Sequence, residues 1–161
     1  SVFHPPCRAV VDENPDDYDR ANVLNREITD DGLSQQAFHI LPEIKEVDEF
    51  IEVVSDAGET VWESHPELCF YAFNDRNPIA YSKQSERGRE KRRDVLRYEL
   101  TGSDEAYESA MDEHYRKDVT RDDILDALVL TAAAQEDSLI SIPDDRDHRQ
   151  QRNVIVYPNP N

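Results

Sequence analysis

Apolar residues recur along this chain mostly at three- and four-residue spacing, the period of an amphipathic helix. The segment "LSQQAFHILPEIKEVDEFIEVVSDAG" carries Phe38, Leu41, Ile44, Val47, Ile51 and Val54 on one stripe. This predicts a long helix from Ser34 to Gly58, kinked near Pro42 because proline lacks the amide proton. "NPDDYDRANVLNREITDDG" predicts a helix with Asn14 as cap, Pro15 at the first helical position and Gly32 at its close. Three further helices are predicted: "HPELCFYAFND" starting at Pro66, "SERGREKRRDVLRYEL" capped by Ser85 and weakened by Gly88, and "SDEAYESAMDEHYR" capped by Ser103. "TRDDILDALVLTAAAQ" is the clearest helix, with Thr120 as cap and Asp123 three residues on, an aspartate form of the capping box. Strand-like alternation is confined to "ETVWES" and to "NVIVYP", which Pro158 stops. "SVFHPPCRAVV" reads as an extended, proline-stiffened entry, "RNPIAYSK" as a connector and residues 143–153 as a charged loop before the last strand. Two strands do not make a stable sheet alone. Either other residues complete a sheet or the helices carry the fold.

Length and composition bound this picture. The 161 residues suit one domain able to bury about two-thirds of the surface that its unfolded chain exposes. Acids number 36 against 18 basic residues, giving a formal net charge of −18, and mean hydropathy is −0.82. The acids are spread along the chain and lysine is scarce beside arginine. That pattern predicts a surface kept soluble in a salt-rich cytoplasm. The two cysteines, Cys7 and Cys69, support neither a disulfide framework nor a zinc site, and Cys69 reads as a core residue. No apolar stretch reaches the roughly 20 residues that span a bilayer, and no signal peptide is visible, so a cytoplasmic location without membrane partners is expected.

Three groups carry candidate chemistry. Asp122, Asp123 and Asp126 fall within one arc of about 100° on their predicted helix, opposite Ile124, Leu125, Leu128, Val129 and Ala132. Acids in a first helical turn also favour the helix dipole, which is the plainer explanation for this group taken alone. Glu63 ends a predicted strand just before His65 and Pro66. A rigidly held strand-end carboxylate suits a metal ligand, although a solvent-facing Glu and a capping His explain it equally. Together these acids form a set suited to Mg²⁺ or Mn²⁺, ions that can activate water in phosphodiester cleavage. The third group is "YSKQSERGREKRR", the one dense basic stretch. Lys83, Arg87 and Arg93 are its candidate phosphate contacts. Against this, Glu86 with Arg89 and Glu90 with Arg93 would be ordinary ion pairs on a solvated helix.

"GLSQQAFHILPEIKEVDEFI", "ESHPELCFYAFN", "YSKQSERGREKRRDVL", "RDDILDALVLTAAA" and "VIVYP", in this order and spacing, resemble domain-of-unknown-function family 429 over essentially the whole chain. Its members are described as predicted nucleases of the ribonuclease-H fold. The resemblance implies an α/β, ribonuclease-H-like domain, helix-dominated here and lacking the N-terminal strands. It implies metal-binding acids at Glu63, Asp122, Asp123 and Asp126, and a polar patch at Lys83, Gly88 and Arg92 or Arg93. Full-length members carry an upstream strand with an Asp that bridges the metal ions. This chain, beginning at Ser1, is therefore expected to be the C-terminal two-thirds of such a domain, and to self-associate or to retain the missing segment. The expected function is a metal-dependent nuclease with nucleic acid as partner. The rival is a non-catalytic interaction module that kept the fold, which the net charge of −18 favours at low salt.

Overall fold

The computed structural model describes residues 5–54, 61–115, 119–143 and 154–159. Two compact units, Ser1–Val61 and Trp62–Asn161, are each described by themselves.

The first unit is helical. α1 (Arg8–Glu13) occupies part of the segment expected to be extended, because Val10 and Val11 bury against Ala21, Leu33, Ala37 and Leu41. Asn14 does not cap the next helix. It takes a left-handed conformation (φ 43°) that closes α1 through its N–H to the Val10 carbonyl. The cap of α2 (Tyr18–Thr29) is Asp17, whose carboxylate accepts the Arg20 N–H at 3.0 Å. Its closing residue is Asp30 (φ 63°) rather than Gly32, since Asp tolerates this region better than most side chains do. Buried Asn25 joins these elements: its Oδ1 accepts the Cys7 N–H at 2.9 Å and its Nδ2 donates to the Asp31 carbonyl at 3.0 Å. The long helix expected from Ser34 is two helices, α3 (Gln35–His39) and α4 (Leu41–Val53), parted at Ile40. Pro42 lies in the first turn of α4, where a missing N–H costs nothing, so the expected kink is a break. The predicted stop at Gly58 lies outside the described residues.

The second unit is a helix-dominated α/β arrangement with a small mixed sheet. Its elements are β1 (Glu63–Ser64), α5 (Pro66–Phe73), α6 (Glu86–Glu99), α7 (Ser103–Glu113), α8 (Arg121–Ala133), β2 (Leu139–Ile142) and β3 (Ile155–Pro158). The strand order is β1-β3-β2. β1 runs parallel to β3, with Glu63 opposite Ile155, and β2 runs antiparallel to β3, with Ile142 also opposite Ile155. β2 is the strand that "SLISIP" concealed, its alternation too short to separate from a loop. α8 packs on α5, α6 and α7, around a core that includes Cys69, Phe70, Leu96, Leu125 and Val129. Ser103 is not a cap but the first residue of α7, and Gly102 (φ 79°) holds the capping position. Most of the charged loop expected over 143–153 lies outside the described residues.

Candidate active site

The local chemistry of α8 decides what its three aspartates can do. Thr120 and Asp123 form a reciprocal capping box: the Asp123 carboxylate accepts both the Thr120 N–H and its hydroxyl at 2.8 Å. These bonds, the backbone one foremost, hold the Asp123 carboxyl below the usual carboxylate range. Asp123 therefore serves the helix start. Asp126, one turn on, has a different environment. Its Oδ2 accepts from the Lys83 ammonium at 3.0 Å, while its Oδ1 is buried with no hydrogen-bond partner among the described residues. Burial pushes the Asp126 carboxyl up, and Lys83 only partly offsets this, with the negative charges of Glu67 and Asp122 adding to the upward push. Lys83 in turn is held charged, first by its bond to Asp126, with Asp122 and Glu67 contributing. The partners do not shift as mirror images, because Asp126 pays for desolvation that the more exposed lysine largely escapes.

Lys83 reaches Asp126 from the turn before α6, and glycine makes that turn possible. A Cβ on Gly88 would stand 1.9 Å from the Ser82 carbonyl oxygen. Gly88 is thus required by close approach of the loop backbone, where the sequence showed only a weak helix former. The same turn is fixed by Ser85, whose hydroxyl donates to Ser82 O at 2.7 Å and accepts the Gly88 N–H at 3.0 Å.

Behind this pair stands an ion pair that sequence reasoning missed. Arg92 is 3% exposed and grips Glu67 with three bonds of 2.8–3.1 Å. Its remaining nitrogen donates to the carbonyls of Gly88 and Tyr81, at 3.0 and 3.3 Å. Of the two arginines in the family-like patch, Arg92 is the one bound to Glu67. The signal for Glu67 was its place in the first turn of α5, three residues after Ser64, but nothing local distinguished it from other acids.

The other candidates are placed elsewhere. Glu63 is exposed on β1 and its carboxylate engages no partner among the described residues. His65 caps α5 through Nδ1, which accepts the Glu67 N–H at 3.2 Å. Arg93 is bound to Asp104 at 2.7 Å and Glu108 at 2.9 Å and lies over the Tyr107 ring, so α7 largely neutralises it. Arg87 stacks over Tyr81 at 4.1 Å, is exposed, and makes no ion pair among the described residues. The pairs expected within the helix, Glu86 with Arg89 and Glu90 with Arg93, are not those formed. Arg97 takes Glu90 and Asp94, and shares Asp104 with Arg93.

The structure thus brings Asp126, Lys83, Asp122, Glu67 and Arg92 into one polar cluster and leaves Glu63 and Arg93 in separate settings. Among the described residues no three His, Cys, Asp or Glu side chains form a group that could hold a metal ion. Among the described residues, one buried carboxylate oxygen is left over beside Lys83, the Oδ1 of Asp126, with the charge of Asp122 acting on the same group. Mg²⁺ commonly uses only one or two carboxylates, completing its shell with water and substrate phosphate.

No helix among the described residues is long and apolar enough to cross a membrane. No curated protein and no solved structure matches the chain. A family model does, over residues 1–148. The chain belongs to the family described as "Protein of unknown function (DUF429)".

Proposed function

We propose that the second unit carries the acidic part of a divalent-cation-dependent site that hydrolyses phosphodiester bonds in nucleic acid, centred on Asp126. The observation that carries this reading is the buried, unpartnered Oδ1 of Asp126 beside Lys83. A buried carboxylate oxygen without a partner is costly, and such groups concentrate where a ligand completes them. Asp122 supplies further negative charge beside it. When bound, Mg²⁺ or Mn²⁺ would activate water and stabilise the leaving oxygen. Lys83 fixes the Asp126 rotamer and presents positive charge for a phosphate oxygen. Arg92 keeps Glu67 in place, and Arg87, stacked over Tyr81, keeps a guanidinium that no acid among the described residues neutralises. Asp123 acts through the helix cap, and Glu63 stands apart from this cluster on β1. The parallel β1–β3 pair and the acid-bearing α8 are compatible with a ribonuclease-H-like arrangement of this unit.

A second reading is an interaction module without hydrolysis. The neutralisation of Arg93 by Asp104 and Glu108 favours it, since this removes one of three candidate phosphate contacts. Incubating the full chain with labelled single- and double-stranded oligonucleotides and Mn²⁺ separates the two. Cleavage that is abolished by Asp126→Asn supports the hydrolase, whereas oligonucleotide binding with no Mn²⁺-dependent cleavage supports the module.

A further inference from the structure

A hollow of about 440 Å³ opens beside the polar cluster, lined by His65, Glu67, Leu68, Tyr71, Pro78 and Ile79. That volume lies within the range of small-ligand sites. Its walls are built rather than incidental. One comes from the first two turns of α5. Another part, Pro78–Ile79, follows two consecutive left-handed residues, Asp75 (φ 53°) and Arg76 (φ 57°). That bend is pinned by Asn74 Nδ2 to the Asn77 carbonyl at 2.7 Å and by Arg76 to Asn159 at 2.6 Å. Ile79 also packs on the core beneath.

The polar atoms at this hollow are directional. His65 Nδ1 is occupied by the Glu67 N–H, so in the neutral ring the proton sits on Nε2, a donor. Glu67 Oε2 accepts only one bond from Arg92, against two at Oε1, and keeps a free lone pair. The Tyr71 hydroxyl has no partner among the described residues, and Tyr71 is part of the lining. An acidic wall excludes phosphate. An apolar, aromatic-lined floor with one acceptor and one donor suits a flat heterocycle carrying an N–H beside a carbonyl.

We infer that this hollow receives one unpaired nucleobase of the strand whose phosphate lies at Lys83, a base with an N–H beside a carbonyl, for which guanine serves as the probe. The inference rests on the phosphodiester reading for its substrate class, and it adds a base subsite to that reading. Glu67 joins the two places: its carboxylate lines the hollow, and its charge is felt by both Asp126 and Lys83. Base–aromatic stacking supplies much of the affinity in single-strand recognition.

The test is titration of the full chain, in EDTA, with guanosine, guanosine 5′-monophosphate and ribose 5-phosphate, followed by NMR. Guanosine is expected to bind within about threefold of its monophosphate, and ribose 5-phosphate at least tenfold more weakly, as stacking predicts. Tyr71→Ala is expected to lose about tenfold or more and Tyr71→Phe less than about threefold, with Asp126→Asn retaining guanosine binding. Equal binding of ribose 5-phosphate, absence of guanosine binding at millimolar concentration, or a folded Tyr71→Ala that binds as the wild type does would overturn the inference. Should Tyr71→Ala not fold, the wild-type signals decide: shifts at Tyr71 and Ile79 support the subsite, and shifts confined to other residues refute it. Guanosine binding in a protein that never cleaves oligonucleotides removes the hydrolase reading alone. Undiminished cleavage and strand affinity in Tyr71→Ala remove the base subsite alone.

Discussion

At the scale of single residues, the second unit separates acids that build structure from an acid that is held at a cost. Asp123 belongs to the first kind. Its folded carboxyl lies below the unfolded value of about 3.9, so its stabilisation is fully present above that pH and is lost as pH falls through the lower folded value. Asp123→Ala should therefore cost about 0.5–1.5 kcal/mol at pH 7, and the two melting curves should converge in strong acid. Asp126 is of the second kind and its sign is opposite: with a raised carboxyl, its contribution is present below the unfolded value and is lost as pH rises through the folded one. The Arg92–Glu67 pair makes an asymmetric prediction. Arg92 is 3% exposed, whereas the Glu67 side chain is 41% exposed and can return to water. Glu67→Ala strands a buried guanidinium and should destabilise by about 3–5 kcal/mol, while Arg92→Leu should cost less. Chemical denaturation of the two variants checks the order, and equal losses would contradict it.

Elements show where periodicity was sufficient and where it failed. The capping box at Thr120, the cap at Ser85 and the start of α5 at Pro66 were legible because each depends on neighbours two or three residues away. The break at Ile40 was not, since a proline in a first turn and a proline in a kink look alike until tertiary packing chooses between them. Asn14 was misassigned, and Asp30 passed over in favour of Gly32, for a related reason: Asn and Asp both begin helices and also tolerate the left-handed conformation that ends them. β2 was missed because four residues that pair with a distant β3 leave almost no local signal. Gly88 is the most informative case. Its use lies in contact with Ser82 across a turn, so Gly88→Ala should destabilise by about 1–3 kcal/mol although alanine is the better helix former. A thermal melt showing Gly88→Ala equal to or above the wild type would refute the close-approach account.

The whole molecule carries its charge in two ways. Most acids are spread over the surface, and the basic stretch, which looked like one positive face, is divided: Arg92 is buried, Arg93 is tied to acids of α7, and Arg87 remains exposed. The candidate cluster was half legible. The aspartates of α8 and Lys83 stood out in sequence, but Glu67 and its partner Arg92 are 25 residues apart and become a unit only through folding. A net charge of −18 repels itself at low ionic strength, and the expected salt-rich setting would screen it within about 3 Å at 1 M. The melting temperature should accordingly rise through a KCl series, and a flat profile would remove the salt adaptation. The measurement that bears most directly on the central claim is a calorimetric Mn²⁺ titration of the full chain and two variants. Binding should be weakened at least about tenfold, or roughly 1.4 kcal/mol, by Asp126→Asn and left unchanged by Asp112→Asn on α7. Equal Mn²⁺ affinity in both variants would contradict the assignment of Asp126 as the centre of the site.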